Sequence, residues 1–204
     1  MKYIFVAGAP GSKWSSVVKN IYYSPSVDRS DHNPDRTYAH RNAYQGAVMH
    51  LGSYFDPGME FGDWFDRLDQ HSLPQCEQEF DRPFSGQGVR IIKSHVFCYH
   101  VDFLKRTWPD CSVVMIHRDN NASFQWWLDC GGFNITYPDY TKYYQNLDFM
   151  AQEIARQNTA LLRHWHRGTL VHSNHELCAR LGMQSVPAQY QQIYAEHDVK
   201  VAVY

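Results

Sequence analysis

The chain lacks any excess of positive charge. Nineteen Lys and Arg stand against 21 Asp and Glu, a formal net charge of -2. A general nucleic-acid binder carries a basic surface, so the balance argues against that class and no nucleic-acid partner is expected, while a local basic pocket for a small anion stays open. Disulfide spacing is also lacking. The five cysteines form no CxxC pair and are odd in number, which argues against a disulfide framework or a zinc cluster and for reduced thiols in a cytoplasmic protein. His95, Cys98 and His100 fall together in "HVFCYH" without a second cluster, so no metal site is expected. No stretch approaches the roughly 18 apolar residues of a membrane span. The opening "MKYIFVAGAP" breaks at Gly8 and Pro10, and does not read as a secretory leader. Internal repeats and low-complexity tracts are absent too.

What is present suits one domain of 204 residues, with 44% hydrophobic and 15% aromatic residues. "YIFVA" (Tyr3 to Ala7) reads as a strand buried on both faces. "WSSVVKNIYY" follows with Trp14, Val17, Val18 and Ile21 at helical spacing. Residues 24–88 read as an irregular insertion, with a short amphipathic helix in "GDWFDRLDQHSL" and loop in "PQCEQEFDRPFSGQG". Strands are then expected at Val89 to Ile92, Ser112 to His117 and in "TLVHS". Helices are expected in "HVDFLKRTW", in "NNASFQWWLD" capped by Asn120 or Asn121, in "LDFMAQEIARQNTALLRHWH", in "NHELCARLG" and in "VPAQYQQIYAEH". "VKVAVY" reads as an edge strand or a tail. Alternating strands and helices imply an α/β fold, a three-layer α/β/α sandwich around a mainly parallel sheet.

The segment "GAPGSKWSS" carries the first chemistry. A strand that feeds a glycine turn and then a helix makes an anion site, because the first helical N–H groups point outward and the helix dipole adds positive potential. Gly11 permits the turn, and Ser12, Ser15 and Ser16 bring hydroxyl donors. Lys13 brings a cation. A Walker loop needs glycine before the lysine and Ser or Thr after it. Here Ser12 and Trp14 stand in those places, so a Mg²⁺-binding hydroxyl is missing next to Lys13.

"APGSKWSSV", "VRIIKSHVF" and "SVVMIHRDNNASFQWW" together resemble, in order and spacing, the sulfotransferases that use 3′-phosphoadenosine-5′-phosphosulfate (PAPS). "ELCARLG" resembles a late helix of the same family. The resemblance covers residues 3–20 and about 89–183 and implies a P-loop NTPase-like fold. It implies that Pro10, Gly11, Ser12, Lys13, Trp14, Ser15 and Ser16 hold the phosphosulfate, that Lys93 is the cation on the leaving phosphate, and that His95 is the general base. Arg118 then grips the 3′-phosphate, and Ser123 takes over the contact of the family's serine, whose place is filled by Trp126. The basic residue of the loop stands two places later than in the family. The tyrosine after the fourth strand and the C-terminal Arg-Lys-Gly loop are absent.

The expectation is therefore a single domain over 1–204 that moves a sulfuryl group from PAPS to a hydroxyl or amine of a small-molecule or glycan acceptor, with no metal. Two alternatives remain open. One is a P-loop nucleotide-dependent kinase. The other is a nucleotide-binding family member without catalysis. Acceptor identity and oligomeric state are not encoded in these motifs.

Overall fold

The computed structural model describes residues 1–32, 51–56, 62, 64–135, 141, 144–188 and 198–204. In chain order its elements are β1 (Tyr3–Gly8), α1 (Trp14–Tyr22), β2 (Ser53–Tyr54), α2 (Leu73–Asp81), β3 (Arg90–Ser94), α3 (Phe97–Thr107), β4 (Ser112–His117), α4 (Asn120–Asp129), α5 (Leu147–Leu162), β5 (Thr169–Val171), α6 (Asn174–Arg180) and β6 (Lys200–Val203). Single 3₁₀ segments lie at Phe65–Gln70, Gly132–Asn134 and Trp165–Arg167.

The strands form one six-stranded mixed sheet in the order β2-β3-β1-β4-β6-β5. Every residue of β1 is buried, because successive side chains alternate between two covered faces. Ile4 and Val6 pack with Val17, Val18 and Ile21 of α1 and with Leu177 of α6. Phe5 and Ala7 pack on the other face with Phe80 of α2, Phe97, Val101 and Leu104 of α3, and Leu161 of α5. Helices therefore cover both faces of the sheet, as the alternation of elements implied.

β1 runs parallel to both β3 and β4, with Ala7 beside Ser94 and Gly8 beside Ile116. The three carboxyl ends meet, and the segment after β1 lies between the residues that follow β3 and those that follow β4. In open α/β sheets this is where ligands bind.

Four elements differ from the sequence reading. "VKVAVY" does not lie at the edge. β6 inserts between β4 and β5 and is antiparallel to both, which makes the sheet mixed. Its alternation is masked in the sequence because three of its four residues are buried. The stretch 74–88, read as loop, contains most of α2, nucleated by Pro74 in its first turn and by Gln75, whose side chain accepts from the Ser72 N–H at 3.0 Å. β3 starts one residue later than read and continues through Lys93 and Ser94. α4 is capped by Asp119 rather than by Asn120 or Asn121, its carboxylate accepting from the N–H groups of Asn121 and Ala122. An aspartate accepts the first-turn bonds with a full charge, and so outcompetes the amides that follow it. The helix read in "VPAQYQQIYAEH" falls largely on 189–197, outside the described residues. No helix of the described residues is long and apolar enough to cross a membrane. All five cysteines are free and buried.

Candidate functional site

The turn after β1 is held by close packing. Gly11 has φ +76°, and a Cβ placed there would lie 1.9 Å from the Ser123 carbonyl oxygen of α4. Only glycine meets both conditions. Lys13 follows in the left-handed region at φ 61° and stands at the N-cap of α1. No side chain caps this helix, and its first turn holds no acid. The positive end of the dipole is thus left uncompensated by carboxylates. Ser12 N–H donates back to the Ala9 carbonyl at 3.0 Å. Its hydroxyl, by contrast, is buried with no hydrogen-bond partner among the described residues. A buried hydroxyl without an acceptor costs free energy, which a bound oxyanion at the loop would recover. Pro10 is buried beside it, and Ser15 and Ser16 are half-buried on the first turn.

Two cations flank this turn. The Lys13 ammonium sits 4.0 Å over the Trp126 ring. Trp126, where the resemblance would have a serine, therefore carries the lysine. Arg118, at the carboxyl end of β4, donates from one guanidinium nitrogen to the Ala122 carbonyl at 2.8 Å and approaches the Gly11 carbonyl at 3.4 Å. Burial holds the pKa of both groups below their ordinary values. For Lys13 the nearby Arg118 charge is the next cause. Two like charges brought together at a helix N-terminus favour an anion between them. Ser123 does not share that arrangement. It is fully buried, and its hydroxyl donates to the Arg118 carbonyl at 3.3 Å, so it fixes the backbone that presents the guanidinium.

On the other side of the turn the groups are dry. Lys93 is fully buried, its ammonium 5.4 Å from the Trp14 ring centroid and 5.9 Å from that of Tyr54. Burial pushes its pKa down to about 7, against the attraction of Asp31. Asp31 is itself buried and accepts from the hydroxyls of Tyr22 and Ser53 at 3.3 and 3.1 Å. His95 lies flat against Trp14, with centroids 3.9 Å apart and planes 7° apart, and Tyr54 meets it edge-on at 5.4 Å. Its Nδ1 is bonded to the Gly8 carbonyl. A carbonyl only accepts, so Nδ1 carries the proton and Nε2 keeps its lone pair. Burial pushes the imidazole pKa down to about 3, with the Lys93 charge adding to the effect and the Gly8 contact opposing it.

Lys93, His95, Trp14 and Gly8 thus meet on one side of the loop, and Lys13, Arg118 and Gly11 on the other. Asp31, Tyr54 and Asp56, which the sequence reading passed over, belong to the dry side. All three lie in the stretch read as an insertion. Tyr54 and Asp56 had one signal, "GSYFD", a strand of two residues followed by an acid, too short for any periodicity to register, and Asp31 had none.

No protein-family model matches the chain, and neither does any curated protein or solved structure.

Proposed function

We propose that the chain is a PAPS-dependent sulfotransferase of P-loop-like fold. One observation carries the reading. Lys93 and His95 converge on Trp14 at one side of the glycine turn, while Lys13 and Arg118 pair at the other. In this reading the donor's phosphosulfate lies on the turn of Gly11 to Ser16, where the Ser12 hydroxyl finds its acceptor. Arg118 and Lys13 bind the 3′-phosphate side, with Ser123 positioning Arg118 through its carbonyl. The acceptor O–H or N–H attacks sulfur in line. Its proton passes to His95 Nε2, the S–O bond to the 5′-phosphate breaks, and the departing electron pair is stabilised by Lys93 and the helix N-terminus. In-line transfer requires the attacking atom beside His95 Nε2 and the departing 5′-phosphate to stand on opposite sides of the sulfur.

The kinase alternative loses support at Trp14. The residue after Lys13 is stacked on His95, and no hydroxyl stands there to hold a metal–phosphate complex. The binding-only alternative draws on a specific observation, the burial of His95 beneath Trp14.

Incubation with PAPS and a panel of phenols, alcohols, sugars and amines separates the two. The transfer reading expects release of adenosine 3′,5′-bisphosphate with matched sulfation of an acceptor. It further expects a fall of about 100-fold or more in His95→Ala, with donor binding retained. Equal rates in His95→Ala would remove the base from the mechanism.

A further inference from the structure

Asp56 follows β2 and is 4% exposed. Its Oδ1 accepts from the Ser94 hydroxyl at 2.8 Å and from the N–H groups of His95 and Val96 at 3.2 and 3.4 Å. These bonds anchor the carboxyl where α3 begins. Its Oδ2 stands 4.0 Å from His95 Nε2. The other edge of that imidazole is taken by Gly8 and one face by Trp14. Nε2 is therefore the ring atom free to take a proton, and Asp56 Oδ2 is the carboxylate oxygen beside it.

Resting on the sulfuryl-transfer reading, we propose that Asp56 and His95 form a two-residue proton acceptor, in which His95 Nε2 takes the proton of the attacking group and Asp56 Oδ2 receives it. The step balances. The acceptor X–H bond breaks as X–S forms, and the pair of the broken S–O bond stays on the 5′-phosphate. The proton ends on Asp56, and no oxidant, reductant or further reactant is needed. The 4.0 Å between Nε2 and Oδ2 is wider than a hydrogen bond, so the transfer requires the two side chains to close to hydrogen-bond distance in the loaded site.

The surroundings explain why the imidazole alone is a poor resting place. An imidazolium here would be a second buried cation beside Lys93. A neutral carboxylic acid in the same dry site costs little. The groups facing Asp56 are Tyr54, Ser94, His95 and, from α3, Cys98, with Lys93 beyond His95 and Asp31 beyond Lys93. Burial pushes the Asp56 pKa up to about 7, with the hydrogen bonds from Tyr54, Ser94 and the backbone of His95 and Val96 opposing. That value suits a base working near neutrality, while His95 at about 3 acts as the conduit.

The test is a pH titration of the full chain with ¹⁵N-labelled histidine, in the wild type, Asp56→Asn and Ser94→Ala, paired with the kcat pH profile in the PAPS assay. The wild type is expected to show a step in the His95 Nε2 resonance near neutral pH while the ring stays neutral. That step disappears in Asp56→Asn. In Ser94→Ala it moves to higher pH, because a bond favouring the carboxylate is lost. In turnover, Asp56→Asn lowers kcat about 100-fold or more and removes the neutral limb of the profile, leaving bisphosphate affinity unchanged. A step that persists in Asp56→Asn, an imidazole that titrates alone at its ordinary value, or an unaltered kcat profile each overturns the pairing. If PAPS is not turned over at all, the functional reading fails, and the resonance titration still decides whether the two groups share a proton. If Asp56→Asn does not fold, the shift in Ser94→Ala decides it, and an unmoved step overturns the proposal.

Discussion

The two sides of the glycine turn handle charge in opposite ways. At the Arg118 side, two cations stand close together, half-buried, at a helix N-terminus left without an acid. At the His95 side, a lysine, an imidazole and two carboxyls are sealed from water, and the shifts of Lys93, His95 and Asp56 all favour the neutral form. In the proposed reading the first side attracts an anion and the second moves protons. A group-transfer site needs both, since binding a polyanion calls for exposed cations and activating a nucleophile calls for a base not drowned in solvent. Gly8 and Gly11 join the two sides, the first through its carbonyl on His95 and the second through its fit against Ser123.

The largest effect is expected from breaking that joint. Gly11→Ala drives a Cβ into the Ser123 carbonyl and strains a residue at φ +76°. A loss of about 2–4 kcal/mol in stability follows from the combined clash and strain. Thermal melting should register it, and ligand affinity should fall at the same time, since the turn can no longer lie on α4. An unchanged melting temperature would mean that the turn is not seated as described.

A smaller effect, confined to the dry side, is expected from Lys93→Met. The folded-state pKa of Lys93 lies below its unfolded value of 10.5, at about 7. Between those values the unfolded chain binds more protons, so the lysine makes stability rise with pH above about 7. The buried thiols Cys76 and Cys111 have folded-state values raised from 9.0, so they reverse the slope above about pH 9. Lys93→Met should remove the rise between about pH 7 and 9 and stabilise the protein below it by on the order of 1–3 kcal/mol. Denaturant melts at three pH values check this. A retained slope would assign the pH dependence to other groups. In the sulfuryl-transfer reading activity should fall steeply as well, because Lys93 is there the cation on the leaving phosphate.

The smallest effect belongs to Lys13→Ala. It removes one of two cations and a contact with Trp126, so bisphosphate affinity should fall several-fold, by about 1 kcal/mol, with the Lys93-driven rise in stability between about pH 7 and 9 retained. Titrations at two salt concentrations would sharpen the result, since a half-buried cation loses part of its effect as salt rises. Loss of that rise in Lys13→Ala would break the division between the two sides.

The sequence carried the wet side well and the dry side only in part. "YIFVA" and "SVVMIH" announced buried strands because both faces are covered, and Gly11, Lys13 and Arg118 sit at positions fixed by those strands. Lys93 and His95 were legible from "KSH" at a strand end. Asp56, Asp31 and Tyr54 were not, because what brings them in is tertiary. β2 is two residues long and pairs with β3 through backbone bonds that leave no pattern in side chains. Ser123 was read as a ligand contact standing in for the serine that the resemblance places at Trp126. Its hydroxyl is bonded instead to the Arg118 carbonyl, a choice made by the local turn and invisible in spacing. β6 was misread as an edge because its four residues give no hint of which strands will flank them.

The central claim is a donor site that recognises a 3′-phosphate. Calorimetric titration with adenosine 3′,5′-bisphosphate, beside ADP with Mg²⁺ and in Arg118→Ala, tests it most directly. The account predicts micromolar binding of the bisphosphate, weaker binding of ADP–Mg²⁺, and a loss of about 10- to 100-fold in Arg118→Ala, the scale of a charge-assisted bond to phosphate. Tighter binding of ADP–Mg²⁺, or bisphosphate binding indifferent to Arg118, would contradict it.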